Sequence, residues 1–584
     1  MDERTKLEHA RHTLAHLLAS SVLTHYPDAR PTIGPAIDNG FYYDFDFSHP
    51  ISSDDLAVIE KTMRSILKTW TLVGSKTVSK EEALALFADN EFKKELICDI
   101  AEKGEAITIY TWGDFQDLCR GGHAENASQI DAGAFKLTHL AGAYWRGSEK
   151  NPMLTRIYGL AFATKAELDQ YLHDQEEAKK RDHRKLGKEL QLFALVDEVG
   201  AGLPLFYPKG ALLRRLVENF IIEAQERRGY EPIWIPHITK KRLYEISGHL
   251  QKYDALYPPM ELPDEDSYYI KPMNCPHFMM LYKENPHSYR EMPVRWTCTT
   301  TNYRYEKSGE LSGLTRVRAL TQDDCHVFCL PSQIEQEVNL MLDMIDETYR
   351  AFHFDNFWVR ISTHDPANKD NYIGNPDVWR TSEEALSRLI ENRGWTHSTG
   401  VGEAAFYGPK LDFMAKDAIG REWQLSTIQL DMNLPERFEL EYTADDNSKQ
   451  RPVVIHRAIL GSTERFLGVI IEHFAGAFPL WLSPVQVQVL PVGLTHTEAC
   501  KQLADQLTAQ SIRATVDDSS ESVGKKIRNA EKMKVPYMLV IGDKEKDLKV
   551  LSVRKRGSKD TIESTREDFI RHATEKIVSR SHEL

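Results

Sequence analysis

Arg304-Tyr305-Glu306, then Lys307–Gly313, then Leu314-Thr315-Arg316-Val317-Arg318-Ala319-Leu320, ending in Thr321-Gln322-Asp323-Asp324-Cys325-His326, is the stretch on which the reading of this chain turns. Two β-favouring runs on either side of a Gly- and Ser-containing turn predict a hairpin that carries charged residues inward. Each Arg offers a rigid two-pronged donor matched to phosphate oxygens. Glu306, two residues from Arg304, is expected on the same strand face. An anion and a hydrogen-bonding base held together is what ATP requires. Any one of these arginines fits a solvated surface salt bridge equally well. The cluster is harder to dismiss, because acid, thiol and imidazole crowd together at its end and point to a metal or a polar substrate.

Working outward, 584 residues correspond to about four domains at roughly 150 residues each. With 41% hydrophobic and 27% charged residues the chain can bury substantial cores and is too apolar for general disorder. No apolar run is long enough to span a bilayer. The start, Met1-Asp2-Glu3-Arg4, lacks a basic-then-apolar leader, so secretion is not expected. Seven cysteines, odd in number and widely spread, make a poor disulfide framework and fit a reducing cytoplasm. A net charge of −14 argues against a globally basic nucleic-acid coat and leaves room for local basic patches.

Four regions separate. Residues 1–165 open with a helical pattern from His9 to Leu23 and continue with strand-like segments such as Gly40–Phe45. Residues 166–192 form a charged, helix-like connector, read as a solvated helix or as a contact to an RNA backbone. Residues 193–480 are rich in aromatics and strand-like runs. Residues 481–584 alternate strands (Val485–Val492, Ala514–Val516, Tyr537–Ile541, Lys549–Val553) with helical patterns, which predicts a small α/β domain.

Three residues of the third region are zinc-ligand candidates: Cys275 in Lys271-Pro-Met-Asn-Cys-Pro, His326, and His456 in His456-Arg-Ala-Ile-Leu-Gly-Ser. Three protein ligands and one open position suit a catalytic or substrate-binding zinc. Their wide separation leaves ordinary core packing open for each. In the first region His12 and His16 lie one helical turn apart on one face, and Cys119-Arg-Gly-Gly-His123 adds a thiol and a third imidazole. By themselves these four read as a zinc site. The glutamate of the metalloprotease helix is absent, so peptidase chemistry is not expected. Lys525, Lys526, Arg528, Lys532 and Lys534 share one helical stretch, and Arg554, Lys555 and Arg556 end a strand. Phosphate contact and a solvated face both fit them.

At these residues the chain closely resembles the threonyl-tRNA synthetases, a family of class II aminoacyl-tRNA synthetases. The resemblance spans nearly the whole length, through Gly34-Pro-Ala-Ile-Asp-Asn-Gly-Phe-Tyr-Tyr-Asp, Lys271-Pro-Met-Asn-Cys-Pro, Arg304-Tyr-Glu, Thr321-Gln-Asp-Asp-Cys-His, Phe406-Tyr-Gly-Pro-Lys and Val535-Pro-Tyr-Met-Leu-Val-Ile-Gly-Asp-Lys-Glu. It implies an α+β multidomain fold: an editing domain over 1–165, a linker helix over 166–192, a catalytic domain built on an antiparallel sheet over 193–480, and an α/β anticodon-binding domain over 481–584. A homodimer follows from Pro236 in Pro232-Ile-Trp-Ile-Pro236, the class II motif at the dimer interface. A strand-edge proline explains Pro236 by itself. The family often carries an additional small N-terminal domain, and this chain is expected to lack it.

The resemblance implies ligation of L-threonine to tRNA(Thr) at the expense of ATP, in the cytoplasm and without a membrane. It implies one Zn2+ on Cys275, His326 and His456, and Mg2+ accompanying the triphosphate. Arg304 grips the α-phosphate and Glu306 reads the adenine amino group. Arg316, Arg465 and Gln429 complete the ATP site. Gln322, Asp324, Tyr407, Gln424 and Ser462 line the threonine pocket, with Asp324 placed to accept the hydroxyl proton. A site that satisfies a hydroxyl rejects valine by orders of magnitude, which a purely apolar pocket cannot do. His249 matches a histidine implicated in proton transfer during esterification, a role that a near-neutral imidazole suits; a turn-capping ring is the alternative.

Serine keeps the hydroxyl, and its missing methyl is worth only about 1–3 kcal/mol, so a second sieve is needed. His12, His16, Lys93, Asp117, Cys119 and His123 match the family's editing site, where water-mediated, metal-free hydrolysis of seryl-tRNA is expected. Glu545 and Arg554 match anticodon-reading residues. Three positions depart from the family. Leu320 replaces an aromatic that stacks on adenine, which predicts either weaker ATP binding or a neighbour that takes over the stacking, and Leu425-Ser426 replaces a commoner Cys-Gly pair. The rival reading is a non-catalytic synthetase relative that binds RNA; retention of Arg304, Glu306, Arg465 and the zinc triad speaks against it.

Overall fold

A computed structural model describes residues 2–263 and 266–584; Met1, quoted above in the N-terminal reading, lies outside them. The chain divides into two compact units, Met1–Glu176 and Glu177–Leu584. The helix Lys165–Arg181 runs through that boundary. The predicted connector is therefore two helices, the second being His183–Glu189, with Asp182 between them capping it through Arg184 N.

In the first unit the predicted helix extends over Glu3–His25, capped by Asp2, whose carboxylate accepts from Thr5 N at 2.8 Å. Leu14, Leu17, Leu18 and Val22 share one core with Phe41, Tyr43 and Phe45 of the strand Gly40–Asp46. That strand pairs antiparallel with Met153–Ala161, which pairs with Phe135–Tyr144. A separate antiparallel sheet joins Gly74–Val78, Ile107–Trp112 and Phe115–Leu118.

The second unit is built on an eight-stranded sheet. Its order is Glu231–Pro232, Val294–Tyr303, Ala319–Cys329, Val453–Ala458, Glu422–Asp431, Lys410–Lys416, Phe357–Thr363 and His397–Val401. Pairing is antiparallel except for the outermost strand at each edge. Strand alternation decides where chemistry can sit. Along Ala319–Cys329, Cys325, Val327 and Cys329 enter a core shared with Val338, Met341 and Ile345 of the helix Ile334–Ala351. Leu320, Gln322, Asp324 and His326 fall on the opposite face. Register then sets His326 directly across from His456.

The expected hairpin exists, but its first strand ends at Tyr303, just before Arg304, and its second begins only at Ala319. Val294–Tyr303 and Ala319–Cys329 pair from Val294–Phe328 to Tyr303–Ala319. Arg304 and Glu306 thus stand beyond the first strand, in the connecting loop, and the shared strand face expected for them is corrected. Arg304 is held there by its backbone N–H, which donates to the Arg318 carbonyl, and Glu306 by its ion pair with Arg316.

A second sheet in this unit has Val487–Pro491 parallel to Ala514–Val516 and to Tyr537–Ile541, with Val550–Lys555 and Thr561–Thr565 added antiparallel. Thr561–Thr565 escaped the sequence reading because Thr-Ile-Glu-Ser-Thr is a mostly exposed edge strand without an apolar alternation.

Candidate functional site

The open face of the large sheet borders a cavity of about 510 Å³. Arg304, Glu306, Arg316, Leu320 and Arg465 line one part of it. Gln322, Asp324, Tyr407, Gln424, Gln429 and Ser462 line the rest, together with Cys275 and His456. Two of the residues predicted for this site do not face the cavity: His326 is fully buried behind it, and His249 is buried beside Phe406 and Tyr407.

Positive charge concentrates at the first group. Burial, then the neighbouring charges of Arg304 and Arg316, holds the Arg465 guanidinium below its usual range. Arg316 pairs with Glu306 and Glu310, both at 2.9 Å. Among the described residues neither Arg304 nor Arg465 has a carboxylate partner, so the cavity favours an anion. Arg316 reaches Glu306 through Oε2 alone. Arg465 extends from the helix Thr463–His473, which Ser462 caps by accepting from Arg465 N. The preceding Gly461 has φ +71°, and a Cβ there would lie 2.3 Å from the Leu425 carbonyl oxygen, so only glycine permits this entry into the helix.

Cys275, His326 and His456 are buried, and their ligand atoms lie within 4.8 Å of one another. Among the described residues, both ring nitrogens of His326 and Nδ1 of His456 find no hydrogen-bond partner. His456 Nε2 instead meets Asp431 Oδ2 at 2.8 Å. A carboxylate behind an imidazole whose other nitrogen is free is the usual support of a metal ligand. Buried nitrogens without partners are costly unless something outside the protein satisfies them. The donor set of one thiol and two imidazoles suits zinc, so the residues fit the implied metal. Phe278 stacks on His326 with ring centres 4.1 Å apart and fixes its plane.

Asp324 accepts a hydrogen bond from Asn274 Nδ2 at 2.8 Å, and Lys271 Nζ donates to Asn274 Oδ1 at 2.9 Å. Burial raises the Asp324 carboxyl above its ordinary value, with Asn274 opposing. Tyr407 OH donates to Gln429 Oε1 at 2.6 Å, and Gln424 Nε2 donates to Asp412 Oδ1 at 2.7 Å. Asn274 and Asp431 were not singled out from the sequence, although Asn274 lies inside a quoted motif just before Cys275, and Asp431 follows Gln429 by two residues. Ser426, one of the departures from the family, is buried, and its hydroxyl donates to the Ile459 carbonyl.

The near-neutral imidazole expected at His249 is corrected. Burial, then the charge of His456, pushes its pKa down to about 3. Its Nδ1 lies 2.8 Å from Ser247 Oγ.

In the first unit His12, His16, Cys119 and His123 converge within the same 4.8 Å limit. Cys119 Sγ lies 3.4 Å from His12 Nε2 and 3.2 Å from His123 Nε2. Burial pushes the Cys119 thiol up, but hydrogen bonds from His12, His123 and His16 outweigh it and hold it at about 3. Asp117 meets His16 Nδ1 at 2.9 Å and pairs with the buried Lys93. Tyr43, which the sequence reading passed over within Gly40–Phe45, donates its hydroxyl to Asp117 and accepts from Lys93 Nζ. A cavity of about 380 Å³ opens onto His12, His16, Tyr43, Lys93 and Cys119. His123 packs behind, against Tyr110 and Trp112.

The predicted anticodon readers are already paired by neighbours in the C-terminal part of the chain. Glu545 accepts from Gly542 N at 3.0 Å and Ser552 Oγ at 2.7 Å, and Arg554 donates to Glu531 at 2.6 Å. Lys526 is buried, unlike the solvated face drawn for its stretch.

Comparison with known proteins follows these features along the chain. Residues 259–474 match the tRNA synthetase class II core domain (G, H, P, S and T), and residues 486–576 match an anticodon binding domain. Together with the sheet and its cavity these define a class II aminoacyl-tRNA synthetase. Residues 107–158 match the threonyl and alanyl tRNA synthetase second additional domain. The threonine–tRNA ligase of Rubrobacter xylanophilus is 50% identical over 94% of this chain and 85% of its own length. That of Staphylococcus aureus is 45% identical over 99% and 89%. A threonyl-tRNA synthetase structure from Cryptosporidium parvum superposes with a TM-score of 0.65 at 36% identity, over 69% of this chain and 99% of its own. The chain belongs to the threonyl-tRNA synthetase family. No described helix is long and apolar enough to cross a membrane.

Proposed function

We propose that the 510 Å³ cavity is where this ligase activates L-threonine with ATP and passes it to tRNA(Thr), and that the cavity of the first unit hydrolyses seryl-tRNA(Thr). The observation that carries the reading is the meeting, in one space, of three arginines with a polar pocket backed by the Cys275, His326 and His456 cradle. In the first step a threonine carboxylate oxygen attacks the α-phosphorus and pyrophosphate leaves. In the second, a ribose hydroxyl of the tRNA attacks the threonyl carbonyl and AMP leaves.

Arg304 and Arg465, which have no carboxylate partner among the described residues, stabilise charge on the phosphates. Arg316 holds Glu306 by Oε2, which leaves Oε1 for the adenine amino group. Leu320 covers the base by dispersion. Asp324, steadied by Asn274, accepts from the threonine hydroxyl, with Gln322, Gln424, Tyr407 and Ser462 around it. Cys275, His326 and His456 would hold a zinc ion, which would supply Lewis-acid chemistry beside the threonine pocket, and magnesium would accompany the triphosphate. His12, His16, Lys93 and Cys119 line the editing cavity and orient water, with Asp117 and His123 bonded behind them.

Glu545 and Arg554 read the anticodon by exchanging their present partners. The exposed Trp234, near Pro236, supports a homodimer interface. Seven unpaired cysteines support a cytoplasmic setting. The four-part division at 165, 192 and 480 serves these roles.

The test is ATP–pyrophosphate exchange with threonine, serine and valine on zinc-replete enzyme. Threonine supports exchange, and valine falls short by roughly 10⁴-fold. No exchange with threonine overturns the ligase reading, and valine activated equally well overturns the role of the metal.

A further inference from the structure

The connector reaches the nucleotide loop through one side chain. His183 is buried, at the start of the helix His183–Glu189. Its Nδ1 lies 2.6 Å from Glu472 Oε1, and its backbone N–H donates to the same oxygen at 3.0 Å. The backbone N–H of Leu314 donates to His183 Nε2 at 2.9 Å. A carboxylate can only accept and an amide N–H can only donate, so the ring carries its proton on Nδ1 and a lone pair on Nε2. With both nitrogens engaged, the Asp182, His183 and Glu472 group is a strut and not a metal site.

The fit around it is close. Gly313 has φ +51°, and a Cβ there would come within 2.1 Å of His183 Nε2. A Cβ on Gly468, in the helix Thr463–His473, would meet Thr315 Cγ2 at 3.2 Å and Leu314 Cβ at 3.3 Å. On the next peptide, Arg465 Nε donates to the Thr315 carbonyl at 3.1 Å. The turn is therefore gripped from two sides, by His183 at Leu314 N–H and by Arg465 at Thr315 C=O. The following residue, Arg316, lines the cavity.

We infer that His183 is a positioning residue for ATP: by accepting from Leu314 N–H it fixes the turn that aims Arg316 at the nucleotide. This rests on the reading of the cavity as the ATP site. His183→Asn and His183→Gln separate the two bonds. The Asn amide nitrogen takes the place of Nδ1 and keeps the contact to Glu472, whereas the Gln amide oxygen takes the place of Nε2 and keeps the acceptor for Leu314. In threonine-dependent pyrophosphate exchange, H183N is expected to raise the KM for ATP about five- to tenfold, as an unsatisfied buried N–H demands, with the KM for threonine unchanged. H183Q stays near wild type, and H183A, a larger truncation that loses both contacts, raises the KM for ATP at least as much as H183N. Equal impairment of H183Q and H183N overturns the inference, as does a parallel rise in both KM values. Arg316→Ala keeps the two readings apart. If it raises the KM for ATP while H183N and H183A do not, His183 is dismissed and the ATP site stands. If it leaves that KM unchanged, the ATP site itself falls, and the role of His183 falls with it.

Discussion

In the second unit His326 leaves both ring nitrogens without hydrogen bonds and Cys275 sits beside two imidazoles, while in the first unit Cys119 lies within 3.4 Å of two imidazole nitrogens and accepts from the Gly121 amide. Similar side chains form both clusters, but their surroundings differ. Burial raises the Cys275 thiol, whereas imidazoles hold Cys119 far down. Asp431 backs a single histidine in the second unit; in the first, Asp117 is itself bound by His16, Lys93 and Tyr43. The second-unit cluster is a cradle whose buried nitrogens call for an ion. The first-unit cluster is a polar network largely satisfied by the chain's own groups, with room for water. The difference matches the two tasks. Rejecting valine requires a strong anchor for a hydroxyl, and hydrolysing an ester requires an oriented water.

The contrast breaks most directly at Cys275. Cys275→Ala is expected to lose about one zinc ion per chain and to lower threonine-dependent exchange by more than about a hundredfold, since even supporting residues of metal sites cost 10–100-fold. Metal analysis by mass spectrometry checks it. An ion retained by C275A would place metal in the first cluster and remove the distinction. Cys119→Ala sharpens the other side. Hydrolysis of seryl-tRNA(Thr) is expected to slow by about a hundredfold, in the range of a positioned proton-transfer group, with exchange unchanged. A loss of exchange in C119A would mean that the two clusters do not act separately.

His249 lies beside the second cluster and gives a smaller, pH-dependent signal. Its folded pKa, about 3, is below the unfolded value, so the unfolded chain binds the proton more readily between the two. Stability from this residue is present above about pH 6.5 and is lost as pH falls towards 3, by up to about 1.4 kcal/mol per pH unit. Denaturant titrations of wild type and His249→Gln across that window should show a shallower acid loss in the variant. Esterification should show no limb from His249 between about pH 6 and 8. A wild-type limb in that range that vanishes in the variant would restore the proton-transfer role.

Both clusters were legible as residue sets, because Cys and His in short motifs carry their chemistry in the sequence. What finishes each cluster was not. His326 and His456 are 130 positions apart, and only the register between two antiparallel strands makes them neighbours. Tyr43 looks like one aromatic of several in Gly40–Phe45, and its bond to Asp117 depends on packing 74 residues away. Arg304 and Glu306 were read as strand residues from local propensity. The Glu306–Arg316 ion pair, the bond from Arg304 N–H to the Arg318 carbonyl and the grip on Leu314 and Thr315 carry them in a loop instead. The deep burial of His249 has no local signal, since Ser247-Gly248-His249 reads as an exposed turn.

Leu320 tests whether the nucleotide half of the site is independent of the metal half. It lines the cavity on the same strand face as Gln322, Asp324 and His326, between the arginines and the metal cradle. Leu320→Phe supplies the stacking surface that the family's aromatic provides, worth about 0.5–1.5 kcal/mol beyond area. Overpacking opposes it at about 1–3 kcal/mol where a core is full. Here the side chain borders open space, so stacking should prevail and the KM for ATP should fall roughly two- to tenfold. The KM for threonine, the zinc content and the editing rate should not move. A rise in the KM for ATP would show that the strand has no room for a ring. A change in threonine affinity would show that Leu320 reaches the Gln322–Asp324 pocket, and the two halves of the strand would then have to be treated as one site.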